Sequence, residues 1–156
     1  MILDTNGLSA VADGESDLEP ILRKAAQVAI PVIVLGEYHY GISHSRDRVR
    51  YEEWLNQYLP SFRILVVDEQ TALSYSIIRT ELRKAGTPIP SNDVWIAALC
   101  RQFSMPMVSR DRHFDVIPGL VRLTWKIDCL VIACILDEAG RSEYSIHAEH
   151  SRCYSQ

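Results

Sequence analysis

Four carboxylates in this 156-residue chain sit where chemistry is done. Asp4 closes the apolar run Met1-Ile2-Leu3, and Asp111 follows Pro106-Met107-Val108-Ser109-Arg110, so each lies just past the C-terminal end of an expected strand. That is the edge where open parallel sheets bind their ligands. Glu37 and Asp93 lie on expected helices flanking the same edge. Singly, each has an ordinary structural explanation: Asp4 as a helix cap, Asp93 as an acid at a helix N-terminus, Glu37 as a partly solvated helix acid, Asp111 as a turn residue. Together they pose an electrostatic problem. Ionised carboxylates roughly 5 Å apart repel by about 3 kcal/mol per pair at an effective dielectric near 20. Six such pairs rival the roughly 5–15 kcal/mol that keeps a domain folded. Either some of the acids are protonated or a cation sits among them. A set of Asp and Glu oxygens, with no His or Cys counted among them, selects a hard ion such as Mg2+ or Mn2+ over zinc. Such an ion lowers the pKa of its water and draws phosphate oxygens, the equipment of phosphodiester hydrolysis.

The elements that must position these acids alternate. Strands are expected at 1–4, 28–30, 62–67, 106–108 and 120–125. Residues 62–67, nearly continuous in apolar residues, read as a strand buried on both faces. Thr5-Asn6-Gly7 suits a helix start. Leu18, Ile21, Leu22, Ala25 and Ala26 recur at helical spacing and predict a helix over 17–27. Pro31 suits the first position of the next helix, on which Ile33, Glu37 and Tyr40 share a face. Residues 46–58 read as amphipathic, with Val49, Trp54, Leu55 and Tyr58 inward, and Pro60 ends them. A helix over 68–85 carries Leu73, Ile77, Ile78 and Leu82 on its stripe and stops at Gly86. Ser91 or Asn92 is expected to cap the helix that Asp93 begins. Alternation of this kind implies a parallel sheet covered on both faces.

The acidic segments resemble a known family. Leu3-Asp4-Thr5-Asn6, Gly36-Glu37-Tyr38, Asn92-Asp93-Val94-Trp95-Ile96-Ala97-Ala98 and Ser109-Arg110-Asp111-Arg112-His113-Phe114-Asp115 are similar, in this order, to the four acidic motifs of PIN-domain nucleases, most of all the VapC-type toxins of bacterial toxin–antitoxin pairs. The resemblance implies a three-layer α/β/α fold with a central, mainly parallel four- to five-stranded sheet over residues 1–125, and a Mg2+- or Mn2+-dependent endoribonuclease. It assigns Asp4, Glu37, Asp93 and Asp111 as the metal-binding and catalytic acids and Asp115 as an auxiliary acid. Ser109 takes a small hydroxyl position beside the metal, and Asn6 a supporting polar one. It further implies an RNA substrate, a homodimer, a VapB-like antitoxin covering the active site, and operator DNA reached only through the antitoxin complex. Residues 126–156 have no counterpart in the family and read as an appended segment.

Other signals are weaker. Arg110 and Arg112 flank Asp111 and are candidates to guide an RNA backbone, or are solvated loop charges. His113 reads as a loop or packing residue, and Trp54 and Trp95 as core or subunit-contact residues. His147, His150 and Cys153 make a weak zinc pattern, and the four cysteines are expected as free thiols. The net charge of −4 lacks the basic footprint of a nucleic-acid binder, but setting the four acids aside leaves sixteen charges of each sign. A composition of 47% hydrophobic and 23% charged residues is that of a globular chain. No apolar run is long enough for a membrane span, and the N-terminus lacks the pattern of a signal peptide, so a cytoplasmic protein is expected. Two other readings stand beside the nuclease. One is a catalytically weak module of this fold that binds RNA or an antitoxin–DNA complex. The other is a different Mg2+-dependent phosphoryl-transfer enzyme, although Asn6 stands where a haloacid-dehalogenase-like phosphatase places its second Asp.

Overall fold

The computed structural model describes residues 1–125; the expectations for residues 126–156, including the zinc pattern and three of the cysteines, lie outside them. Five short strands form one sheet: β1 (Ile2–Leu3), β2 (Ala29–Pro31), β3 (Arg63–Leu65), β4 (Met107–Val108) and β5 (Arg122–Leu123). Their order is β3-β2-β1-β4-β5, and every pairing is parallel. Successive strand residues point to opposite faces. Ile2, Leu3, Ala29, Ile30, Met107 and Val108 are nevertheless all fully buried, so helices cover both faces of the three inner strands. Each such Leu, Ile or Val contributes roughly 1.5–3 kcal/mol by burial.

The helices are α1 (Thr5–Ala12), α2 (Glu19–Leu22), α3 (Val32–Ser43), α4 (Arg48–Tyr58), α5 (Glu69–Ala85) and α6 (Ser91–Phe103). Helix α1 packs on α3 and α4, and α5 on α6. Helix α5 has the clearest ends. Asp68 and Thr71 form a reciprocal cap, and Gly86 stops the helix in a left-handed conformation at φ 70°. Gln102 of α6 reaches both side chains of that cap, fixing α6 against α5.

Several expectations need correction. The helix over 17–27 shrinks to one 3-10 turn and the four residues of α2, because only Leu18, Ile21 and Leu22 find core and Ala25 and Ala26 offer little apolar area to hold further turns. Segment 62–67 is not buried on both faces. It supplies the edge strand β3, which has one neighbour, and Val66 is 62% exposed. On α5 the buried stripe is Thr71, Ser74, Ile78 and Leu82, while Leu73 and Ile77 face out. Hydrogen bonding of Thr71 to Asp68 and Gln102 is what lets a polar residue take a core position. On α3 the buried stripe is Val34, Tyr38 and Ile42, and Tyr40 is exposed. Pro31 ends β2 and stands just before α3 rather than within it. Helix α4 begins at Arg48, buries Leu55 and leaves Val49 and Tyr58 exposed. Pro90, not Ser91 or Asn92, holds the cap position of α6. Trp95 stacks on Tyr75 of α5 with ring centroids 4.1 Å apart, and Cys100 is a buried free thiol. Among the described residues, no helix is long and apolar enough to cross a membrane.

Candidate active site

The strand order places the site. The chain moves outward from β1 through β2 to β3, then returns to put β4 and β5 on the other side of β1. Crossovers therefore leave β1 and β4 in opposite directions and open a crevice at their C-terminal ends. Asp4 directly follows β1, and Ser109, Arg110 and Asp111 follow β4. A cleft of about 460 Å³ lies there, bordered by Asp4, Glu37, Asp93 and Asp111 together.

Asp4 is the anchor. It is only 4% exposed and caps α1: its Oδ1 accepts from the Gly7 backbone N–H at 2.7 Å. Its Oδ2 accepts from Asn6 Nδ2 at 2.7 Å and from Ser109 Oγ at 2.5 Å. Asn6 Oδ1 in turn accepts from the Arg110 backbone N–H, and Ser109 Oγ from the Asp111 N–H, so a single network ties the ends of β1 and β4. Asn6 and Ser109 thus both donate to the same oxygen of Asp4. Glu37 enters from α3, one residue aside from its buried stripe, and Asp93 from the first turn of α6.

A PIN-domain family model matches residues 1–120. The chain belongs to the PIN-domain family. Ribonuclease VapC2 of Rickettsia felis is 29% identical over 129 residues, 80% of this chain and 96% of that protein. The tRNA(fMet)-specific endonuclease VapC of Salmonella typhimurium is 29% identical over 101 residues, 64% of this chain and 76% of its own. Among solved structures, the VapBC2 complex of Rickettsia felis bound to a DNA fragment from its promoter is similar, with a TM-score of 0.71 at 28% identity, covering 80% of this chain and 98% of the matched one.

In this PIN domain two of the acids, Asp4 and Asp93, are held above the usual carboxylate range. Burial, assisted by Asp111 and Asp93, pushes the Asp4 carboxyl up to about 6, against the opposing hydrogen bonds from Ser109 and Gly7. Asp93 is raised as well, by burial and then by Glu37 and Asp111, with His113 opposing. His113 is more than the packing residue the sequence suggested. Its Nδ1 lies 2.7 Å from Asp111 Oδ1 and its Nε2 2.9 Å from Asp93 Oδ2, so the ring stands between two of the acids. Among the described residues, no three His, Cys, Asp or Glu side chains converge tightly enough to ligate an ion as they stand. The donor set itself fits a hard divalent cation: Asp4, Glu37, Asp93 and Asp111, all bordering the cleft, offer only oxygen, and burial raises the pKa values of Asp4 and Asp93.

Asp115 pairs with Arg122 through both carboxylate oxygens, at 2.6 and 2.7 Å, and is not among the residues that border the cleft. Arg110 borders the cleft but is already anchored, ion-paired to Glu15 and lying 4.4 Å over the Trp125 ring. Glu15 also accepts from Trp125 Nε1 at 2.7 Å. Arg112 is exposed. Sequence reasoning missed Thr5, Asn92 and Glu15, whose partners are 32, 55 and 95 residues away; the one local signal was that Thr5 and Asn92 adjoin the acids Asp4 and Asp93.

Gly7 lets α1 sit this close to β4. A Cβ there would lie 2.8 Å from the Val108 carbonyl oxygen and 3.2 Å from Asp4 Oδ1. Gly7→Ala is expected to cost about 1–3 kcal/mol from overpacking against backbone, outweighing the better helix propensity of Ala. A thermal melt should show Tm lower by about 3–9 °C; an unchanged Tm would show that the cleft relaxes freely.

Proposed function

We propose that this chain is the toxin of a toxin–antitoxin pair, an endoribonuclease that requires Mg2+ or Mn2+. The observation that carries this reading is the convergence of Asp4, Glu37, Asp93 and Asp111 on one cleft at the switch point of the sheet. Asp4, Asp93 and Asp111 would hold the ion, with Glu37 beside them. When bound, the ion activates water and offsets charge on the scissile phosphate. The chain's own residues do the positioning. Ser109 and Asn6 fix both the rotamer and the acceptor direction of Asp4. Arg110, braced by Glu15 and Trp125, borders the cleft with a cation to meet a phosphate oxygen, and exposed Arg112 extends that charge outward. The similarity to a VapBC complex bound to promoter DNA supports a VapB-like antitoxin as partner and operator DNA reached through the antitoxin complex; the family resemblance adds a homodimer as the working form.

Purified antitoxin-free protein incubated with total cellular RNA tests this. Discrete fragments in Mg2+ or Mn2+, absent in EDTA, are expected, and mapping their ends names the target. Intact RNA in every metal would replace the enzyme by a module of this fold that binds without cutting.

A further inference from the structure

Both carboxylate oxygens of Glu37 are engaged, and by neutral donors from two other elements. Thr5 Oγ1 donates to Oε2 at 2.5 Å, and Asn92 Nδ2 donates to Oε1 at 2.7 Å. Thr5 directly follows Asp4, and Asn92 directly precedes Asp93. Neither side chain caps its own helix: Asp4 caps α1, and α6 has no side-chain cap. Their hydrogen bonds therefore serve Glu37 rather than local helix formation. The neutrality of the donors matters. An Arg or Lys at either place would orient the carboxylate equally well, but it would cancel the charge that a divalent ion needs. A hydroxyl and an amide fix the carboxylate plane, leave its full charge, and leave each oxygen a further lone pair.

We infer that Thr5 and Asn92 are positioning residues that clamp Glu37 from both sides, tie its place to those of Asp4 and Asp93, and thereby set the affinity of the cleft for its divalent ion. The inference rests on the reading of Glu37 as one of the metal-holding acids. Losing one clamp frees the Glu37 side chain to rotate away from the cleft, and restoring it costs part of the binding free energy.

Calorimetric titration of Mn2+ into the full chain, with no RNA present, measures this. Thr5→Val and Asn92→Ala are each expected to weaken Mn2+ binding by about tenfold, the scale of one charge-assisted hydrogen bond. Thr5→Ser keeps the hydroxyl and should restore the wild-type affinity. In a Glu37→Gln background, Thr5→Val should add no further loss, a non-additivity that a merely structural role would not produce. Circular dichroism confirms that each variant is folded. If Glu37→Gln loses affinity while Thr5→Val and Asn92→Ala bind within about twofold of wild type, or if the losses add, the clamp is refuted and the metal-site reading survives. If Glu37→Gln itself binds Mn2+ as the wild type does, that reading of Glu37 falls and the clamp falls with it.

Discussion

Asp4→Asn is expected to lower the RNA cleavage rate by at least about a thousandfold, on the scale of lost preorganised electrostatic stabilisation, while the protein stays folded. The two halves of this expectation have separate causes. Activity is lost because the buried carboxylate is the proposed ligand best held in the cleft, and an amide neither carries its charge nor binds a hard ion comparably. Stability is nearly unchanged at pH 8 because two effects oppose. Removing a charge whose pKa has been pushed up to about 6 from 3.8 returns about 3 kcal/mol. The replacement amide, however, must turn its NH2 toward either Asn6 Nδ2 or the Gly7 N–H, both of which are donors. Asn6 cannot flip to accommodate it, since its oxygen already accepts from Arg110. That mismatch costs about 1–3 kcal/mol. Thermal melts of the metal-free proteins should thus agree closely at pH 8. Below pH 5, where wild-type Asp4 is already protonated, the variant should be the less stable. A variant that cleaves RNA like the wild type would remove Asp4 from the catalytic set.

Divalent metal is expected to stabilise the folded protein, and to do so more at pH 8 than at pH 5. Because its folded-state pKa lies above the unfolded value, Asp4 favours folding most at low pH. Without metal, that contribution is lost as pH rises from about 4 through about 6. The raised pKa of Asp93 acts in the same direction. An ion that binds only the folded state adds about 2.7 kcal/mol at a concentration of 100 Kd, or roughly 5–10 °C in Tm for a chain of this size. Below pH 6 the ion must displace the proton on Asp4, so the gain shrinks. Differential scanning calorimetry with Mn2+ and with EDTA at both pH values checks the sign. Equal metal effects at pH 5 and pH 8 would contradict the assignment of Asp4.

Asp4, Asp93 and Asp111 were legible because each lies at or near an element boundary, whereas Glu37 lies in the middle of α3. Asp4 and Asp111 follow strands that are short but strongly apolar, and parallel topology then brings strand ends together without knowledge of any side-chain contact. Helix α5 was legible for the same reason, since Asp68 and Gly86 mark its ends by local chemistry. What escaped were features fixed by distant partners. Exposure of Val66, Leu73 and Ile77 depends on β3 being an edge and on which face of α5 meets α6, and an apolar residue type states neither. The resemblance offered Asp115 as an auxiliary acid, but its pairing with Arg122 on β5 depends on a partner that the local motif does not state. His113 looked incidental because its two partners lie on different elements.

Direct Mn2+ binding, read beside RNA cleavage for wild-type protein and Asp93→Asn, tests the central claim most closely. Asp93 enters the cleft from α6, outside the Asp4 hydrogen-bond network, so its replacement leaves that network in place. The account predicts that the wild type binds Mn2+ and cleaves RNA over the same range of metal concentration, and that Asp93→Asn, folded by circular dichroism, loses both together. Cleavage by the wild type that survives EDTA, or an Asp93→Asn protein that binds Mn2+ and cuts RNA as before, would contradict it.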